Sequence, residues 1–316
     1  MFEEPGPAHL VFSFGTLLDP QVQQELFSRQ VPVIPDSLVG HGITDVPIDD
    51  PDVVRLSGLA VHRGLVRDEE QEVAGGILAL TDEELGAADE YEVSAYARRR
   101  VMTAGRGMVW AYVDARPLAV AQRIGLVGDS IAYGRTDERG GWAHEVATVH
   151  IGANERQHRF FNLAIPGITA RELSVFAADE VRRRRCDTVL VACGVNDLIH
   201  DQAGPDDVVA RLESLVRQLE SSGVRPVVMG PLWNDEKRIA GEFGAELATS
   251  ALEETNARLS SWAGETHRDF IDVYGILRDR TEVLSDGLHP DADGHRDIAA
   301  FVIATQWGPR SAVHDG

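Results

Sequence analysis

The chain has 316 residues, of which 43% are hydrophobic, and a formal net charge of −21 at pH 7. Because this length exceeds what one average domain needs, we expect two domains. A charge this negative repels nucleic-acid phosphates and anionic lipid surfaces, so nucleic acid and membranes are excluded as expected partners.

The N-terminus and the cysteines predict a cytoplasmic protein. The opening MFEEPGPAHL lacks a basic segment followed by an apolar core, and no apolar run reaches the length of about 18 residues that a transmembrane helix needs. Cys186 and Cys193 are too few for a disulfide framework and too far apart for a CxxC motif. We expect both to be reduced core residues.

The first third of the chain predicts a small α+β, barrel-like domain. Its β-rich runs are HLVFSF, VAGGILAL, RRRVMTA and GMVWAYV, with helical stretches near 20–28 and 82–90. The rhythm changes within DARPLAVAQ at 114–122, and we place the boundary near residue 120. The predicted domains are therefore 1–120 and 121–316.

From Ile124 onward, apolar β-branched runs alternate with helical patterns near 139–148, 169–184, 205–222, 236–263 and 292–306. Strands without polar alternation, separated by amphipathic helices, indicate a parallel sheet covered on both faces. We therefore expect a doubly wound α/β domain, in which ligands bind beyond the carboxyl ends of the strands.

Polar or small residues follow several of these runs. Ser130 lies in GDS, Gly167 in NLAIPG and Asn196 in GVND, while Asp286 and His289 lie in the late segment SDGLHPDADGH. A serine is a good nucleophile when a histidine takes its proton and a carboxylate orients that histidine. The N–H groups of Ser130 and Gly167 and the Asn196 amide are candidate donors to an oxyanion.

These four blocks, centred on Ser130, Gly167, Asn196 and His289, resemble the SGNH or GDSL-type hydrolase family in order and local context. The resemblance covers about residues 123–307. It implies a flavodoxin-like three-layer α/β/α fold and a serine esterase or acyl-hydrolase activity in which Asp286 completes the triad. An acyltransferase using the same serine is the alternative, and the acyl substrate stays open.

A metal site is the rival interpretation of the late segment, which offers oxygen and nitrogen ligands. The candidate ligands are Asp286, His289, Asp291, Asp293 and His295. Because no second ligand cluster accompanies them, we expect no metal and no other cofactor. We expect Asp291 or Asp293 to cap the last helix and His295 to be a packing residue.

Two segments of the first domain suggest a second site. HLVFSFGTLLDP joins a strand to a glycine-containing turn and a helix, which directs backbone N–H groups at an anion. AADEYEVSAYARRRV places Glu92 after a helical segment and before Tyr96 and Arg98. One carboxylate near an anion-binding loop indicates proton transfer on a carboxylate-bearing substrate.

Together these segments resemble the γ-glutamylcyclotransferase-like (AIG2-like) family over about residues 9–116. The resemblance implies that Glu92 is the acid/base in release of 5-oxoproline, and that a loop binds the glutamyl group through Phe14, Gly15, Thr16 and Leu17. Phe14 replaces the usual Tyr, and Ala88 stands where Leu is common. A domain that binds ligand without turnover is the alternative.

The sequence thus predicts an enzyme that acts on a small ester or acylated molecule. Co-occurrence of the two domains in one chain makes a γ-glutamyl-bearing molecule the candidate joint substrate.

Overall fold

The computed structural model describes residues 9–47, 61–92, 96–243 and 246–307. The chain divides into two compact units, the second of which runs from Ala121 to Gln306. Each unit has its own hydrophobic core.

The first unit is a closed five-stranded barrel with strand order β1-β3-β2-β4-β5. Its strands are β1 (His9–Ser13), β2 (Ile34–Pro47), β3 (Val61–Leu80), β4 (Tyr96–Thr103) and β5 (Gly107–Asp114). Parallel pairing of β1 with β5 closes the barrel. A 3-10 turn at Thr16–Leu18, α1 (Pro20–Phe27) and α2 (Asp82–Tyr91) complete the unit. The predicted barrel-like α+β class and both helices are confirmed.

The strand β2 is absent from the sequence prediction, which was wrong at this point. The segment carries Pro35 and Pro47 near its ends and two glycines inside, all unfavourable within a central strand. A register shift between Val39 and His41 interrupts the pairing with β3, and Gly40 there has a φ of 72°, a conformation that favours glycine. The pairing partner β3 is correspondingly longer than the predicted VAGGILAL run.

The second unit contains a parallel five-stranded sheet with strand order β10-β9-β8-β6-β7. Its strands are β6 (Arg123–Gly128), β7 (Arg159–Asn162), β8 (Thr188–Ala192), β9 (Arg225–Met229) and β10 (Asp269–Ile271). This is the flavodoxin-like order, in which the direction of winding reverses between the first and third strands, here β6 and β8. Ligands bind at such a reversal, beyond the carboxyl ends of the strands.

Helices connect the strands, as parallel pairing requires. They are α3 (Ser130–Tyr133), α4 (Gly141–Ala153), α5 (Ala170–Leu173), α6 (Ala177–Arg183), α7 (Val195–His200), α8 (Pro205–Ser221), α9 (Glu236–Phe243), α10 (Thr249–Glu265) and α11 (Ala292–Trp307). Nearly every residue of β6, β8 and β9 is buried, as expected for a sheet covered on both faces. The predicted doubly wound α/β class is confirmed.

Two predicted helices are each divided in two. The stretch 169–184 forms α5 and α6, separated at Phe176, whose φ of −138° is not helical and whose ring packs against the core. The stretch 236–263 forms α9 and α10, and between them Leu247 is buried while its carbonyl accepts a hydrogen bond of 3.0 Å from the Asn234 amide. Tertiary packing overrides helix propensity at both places.

No helix in the described parts of the chain is long and apolar enough to cross a bilayer. Cys186 is buried, Cys193 is half-buried, and both are free thiols.

Truncating Leu190 of the central strand β8 should destabilise the protein. The side chain is fully buried, so Leu190→Ala should lower the free energy of unfolding by about 2–5 kcal/mol. Val175→Ala is the control, because Val175 is 82% exposed and should change stability by about 0.5 kcal/mol or less. Urea unfolding of the full chain measures both. Equal midpoints for the two variants would contradict the assigned core position of Leu190.

Candidate active site

Ser130 stands where the strand β6 turns into α3. The turn is tight because Gly128 lies against β8: a Cβ at Gly128 would meet the Ala192 carbonyl oxygen at 2.4 Å. Asp129 caps α3 by accepting a hydrogen bond of 3.0 Å from the Ile131 N–H. Ser130 is therefore held at the carboxyl end of a central strand, beside the reversal in strand order.

The Ser130 hydroxyl is joined to His289 and Asp286 by a chain of hydrogen bonds. Ser130 Oγ lies 2.8 Å from His289 Nε2, and His289 Nδ1 lies 2.7 Å from Asp286 Oδ2. The other oxygen of Asp286 accepts from the backbone N–H groups of His289 and Leu288, at 2.8 and 3.1 Å. The structure thus brings together the three predicted residues in the order that nucleophilic catalysis requires.

The loop carrying Asp286 and His289 is fixed by contacts that sequence reasoning missed. The Ser285 N–H donates to the His289 carbonyl at 2.8 Å, which closes the turn. Arg238 donates at 2.6 Å to the carbonyls of both Leu284 and Ser285. No sequence pattern marks Arg238, because it belongs to a different helix, α9.

The surroundings of His289 and Asp286 lower the pKa of both groups. Burial lowers the pKa of His289, and the neighbouring Asp286 only partly opposes the shift. The pKa of Asp286 is lowered because the hydrogen bonds and charge of His289 outweigh the effect of burial. At neutral pH the arrangement therefore consists of a neutral imidazole and an ionised carboxylate.

The residues of the three predicted oxyanion donors line one cleft. The N–H groups of Ser130 and Gly167 form no hydrogen bond with any described residue. The Asn196 amide donates to the Ile168 carbonyl at 3.0 Å, which orients it and leaves its second N–H group for another acceptor. Gly167 has a φ of 84°, a conformation that favours glycine.

A cleft of about 1000 Å³ opens over these groups. Its lining residues combine the site with apolar side chains from several helices, and they are Ser130, Arg135, Gly167, Asn196, Leu198, Ile199, His200, Gln202, Ala203, Ile239, Glu246, Leu247, Ala248, Ala251, Leu288 and His289. A volume of this size accommodates a small organic molecule.

Two buried carboxylates, Asp129 and Asp197, lie next to Ser130 and Asn196 in the chain and accept hydrogen bonds from nearby backbone N–H groups. Asp197, fully buried, accepts from the Ala170 N–H and from Arg211, both at 2.8 Å. Burial raises the pKa of Asp129 to about 7, with a further contribution from the negative charge of Asp197. Asp129 directly precedes Ser130 and Asp197 directly follows Asn196, and this adjacency is the sequence signal that marks both carboxylates.

The remaining polar residues of the late segment have structural partners. Asp291 caps α11 by accepting from the Asp293 and Gly294 N–H groups, both at 2.9 Å, as predicted. Asp293 pairs with Arg296, and His295 is buried against the Arg135 carbonyl at 3.0 Å. Within the described ranges no group of three His, Cys, Asp or Glu residues is placed to hold a metal ion.

In the first unit, the predicted loop follows β1. Phe14 is half-buried, Gly15 and Thr16 are exposed, and Leu17 is buried. The N–H groups of Thr16 and Leu17 form no hydrogen bond with any described residue. Such N–H groups are available to an anionic ligand.

Glu92 ends α2, and its neighbour Tyr91 contacts the loop. The Tyr91 hydroxyl lies 3.3 Å from Thr16 Oγ1, so the structure brings the Glu92 segment and the loop together. Burial raises the pKa of Glu92 to about 7. A carboxyl group that titrates near neutral pH is suited to proton transfer in both directions.

A tyrosine that the sequence analysis missed lies near Glu92. Tyr112 donates to Asp89 at 2.8 Å, and the same carboxylate oxygen lies 2.9 Å from Arg98 Nε. The negative charge of Glu92 contributes to the raised pKa of Tyr112, after burial and Asp89. The sequence did not single out Tyr112, because it lies within the apolar run of β5 and has the pattern of a core residue.

Two solved structures similar to this chain carry descriptions of a lipase/acylhydrolase and of a GDSL-like lipase. The lipase/acylhydrolase from Enterococcus faecalis has 23% identity and a TM-score of 0.50, covering 60% of this chain and 100% of its own. A protein from Parabacteroides merdae ATCC 43184 described as a GDSL-like lipase has 17% identity and a TM-score of 0.50, covering 58% of this chain and 95% of its own. At these identities the likeness shows the fold alone. A search of curated proteins finds no match.

Two family models match, one for each part of the chain. Residues 126–296, more than half of the 316, match the GDSL-like Lipase/Acylhydrolase family. Residues 11–127 match the family described as Gamma-glutamyl cyclotransferase, AIG2-like. Both predicted resemblances are confirmed, and the chain belongs to the GDSL-like lipase/acylhydrolase family, with an AIG2-like segment preceding the hydrolase part.

Proposed function

We propose that residues 121–316 form a serine hydrolase that cleaves an ester of a small molecule, with Ser130 as nucleophile, His289 as general base and acid, and Asp286 as its orienting carboxylate. The observation that carries the proposal is the hydrogen-bonded chain from Ser130 Oγ through His289 to Asp286. The family match of residues 126–296 supports the same reaction class.

In the proposed reaction His289 Nε2 accepts the Ser130 proton while Oγ attacks the ester carbonyl carbon. The imidazolium that forms is stabilised by Asp286 and then donates the proton to the departing alkoxide. Water, deprotonated by His289, attacks the acyl carbon, the bond to Ser130 Oγ breaks, and His289 returns the proton to Oγ as the carboxylic acid leaves. The lowered pKa of His289 supports this cycle, since the base is neutral before each attack.

The oxyanion of the tetrahedral intermediate would accept hydrogen bonds from the N–H groups of Ser130 and Gly167 and from the Asn196 amide. Donors that are already positioned stabilise this charge without reorganisation, and removing one such donor costs about 2.7–4 kcal/mol in other hydrolases.

We further propose that residues 1–120 catalyse γ-glutamyl cyclotransfer. The α-amine of a γ-glutamyl amide would attack the γ-carbonyl carbon, the amide C–N bond would break, and 5-oxoproline and a free amine would leave. Glu92 would take the proton from the attacking amine and return it to the leaving amine. Its burial beside the loop at 14–17 supports this role.

Ser130→Ala should abolish hydrolysis of a short 4-nitrophenyl ester by the full-length protein. Loss of the nucleophile should lower kcat by at least about 10³-fold. Ser221→Ala is the matched control, because Ser221 is an exposed residue at the end of α8. Equal rates for the Ser130 variant and wild type would contradict the assignment.

The pH dependence of hydrolysis tests His289 and Asp286. Because only neutral His289 accepts a proton and burial lowers its pKa, kcat/KM should fall on acidification with a midpoint below the ordinary value of 6.5. Asp286→Asn removes a charge that raises this pKa, so the midpoint should move lower still, while kcat falls by about 10³- to 10⁴-fold. A wild-type midpoint above 6.5 would contradict the lowered pKa of His289, and a rate that does not fall on acidification would contradict a His289 base.

Glu92→Gln should abolish release of 5-oxoproline from γ-glutamyl amides, with a loss of about 10²- to 10⁴-fold. In wild type, kcat/KM should rise as the pH passes through about 7, because the ionised carboxylate is the base. Glu90→Gln, which alters an exposed carboxylate in the same helix, is the control. A rate that does not change between pH 6 and 8 would contradict a Glu92 base.

A further inference from the structure

The segment after α3 is hydrogen-bonded both to Ser130 and to residues beside His289. The Arg135 N–H donates to the Ser130 carbonyl at 3.0 Å, and the Arg135 carbonyl accepts from His295 at 3.0 Å. Next to it, the Thr136 hydroxyl donates to the Pro290 carbonyl at 2.5 Å, beside His289. The backbone of Arg135 is therefore held in place between the loops that carry Ser130 and His289.

Arg135 lines the same cleft as Ser130 and His289, and its charge acts on His289. The residue is exposed, and its guanidinium group forms no hydrogen bond or ion pair with any described residue. Among the described lining residues Glu246 is the one carboxylate side chain, and it forms no ion pair with Arg135. In a protein with a net charge of −21, Arg135 thus places a positive charge without a carboxylate partner in the cleft that holds the nucleophile.

The charge of Arg135 acts against the proposed catalytic cycle when the cleft is empty. It contributes, after burial, to the lowered pKa of His289, whereas Asp286 raises that pKa and His295 lies close by. A cation that lowers this pKa also destabilises the imidazolium formed during attack. A negative group bound to the guanidinium would cancel this penalty during the reaction.

We propose that Arg135 binds an anionic group of the substrate, so that the hydrolase prefers esters bearing a carboxylate or phosphate near the bond that is cleaved. The planar guanidinium presents a fork of donors that matches both oxyanions, often by two parallel hydrogen bonds. The cleft of about 1000 Å³ has room for such a group on either the acyl or the alcohol side. This inference rests on the proposed esterase function.

Matched ester pairs test the inference in the full-length protein. Mono-4-nitrophenyl adipate is compared with 4-nitrophenyl hexanoate for the acyl side. On the alcohol side, 4-acetoxybenzoate and 4-acetoxyphenyl phosphate are compared with methyl 4-acetoxybenzoate. Wild type should prefer at least one anionic ester by about tenfold or more in kcat/KM, the size of effect that a charge-assisted hydrogen bond produces.

Three variants separate recognition from a general structural role. Arg135→Gln should remove the preference, and Arg135→Lys should retain part of it because the charge remains without the fork. Arg156→Gln is the control, because this exposed arginine lies in the turn between α4 and β7 and should leave the ratio unchanged. Arg135→Gln should also move the acidic midpoint of kcat/KM to higher pH, which a merely structural role would not do.

Two outcomes overturn the inference while the esterase function stands: no preference in wild type, or equal losses on neutral and anionic esters in Arg135→Gln. If no ester is cleaved in a Ser130-dependent manner, the proposed function fails instead. Calorimetric binding then still tests Arg135, using Ser130→Ala with and without Arg135→Gln. Weaker binding of 4-acetoxybenzoate in the double variant supports the inference, and equal binding overturns it.

Discussion

The hydrogen bond between Ser130 and His289 is the interaction on which the second unit's site depends. It joins residues 159 positions apart in the chain, at a distance of 2.8 Å, between two side chains that are almost fully buried. Buried polar groups are costly unless they are paired, so the strand β6, the turn at Asp129 and the late loop must all form before this contact is favourable. Arg238 and the Asp286 carboxylate complete that arrangement from the side of the loop.

Burial shifts the pKa of one candidate site residue in each unit, Glu92 in the first and His289 in the second. Removal from water disfavours the charged form of any group, which lowers the pKa of His289 and raises that of Glu92 to about 7. The two residues are of opposite charge type, so the shifts have opposite signs. The shift keeps His289 neutral, and so able to accept a proton, at neutral pH, whereas it brings the pKa of Glu92 to a value at which the carboxyl can both accept and donate one.

Buried carboxylates with N–H partners organise the ends of the central strands. Asp129 and Asp197 each accept a hydrogen bond from the first turn of a short helix, α3 and α5 respectively. These contacts place Ser130 and Asn196 at neighbouring strand ends. Arg135 in the same cleft adds a positive charge, which we propose binds an anionic group of the substrate.

The sequence by itself determined the two fold classes, the family resemblances and the local motifs, because strand and helix periodicity and short functional blocks are properties of nearby residues. Only the tertiary structure decided that β2 pairs along β3 despite its prolines, and that packing at Phe176 and Leu247 divides two predicted helices. The sequence likewise did not predict where Tyr112 and Arg135 lie. Their surroundings come from segments distant in sequence, and burial, pairing and the local field depend on those neighbours rather than on residue type.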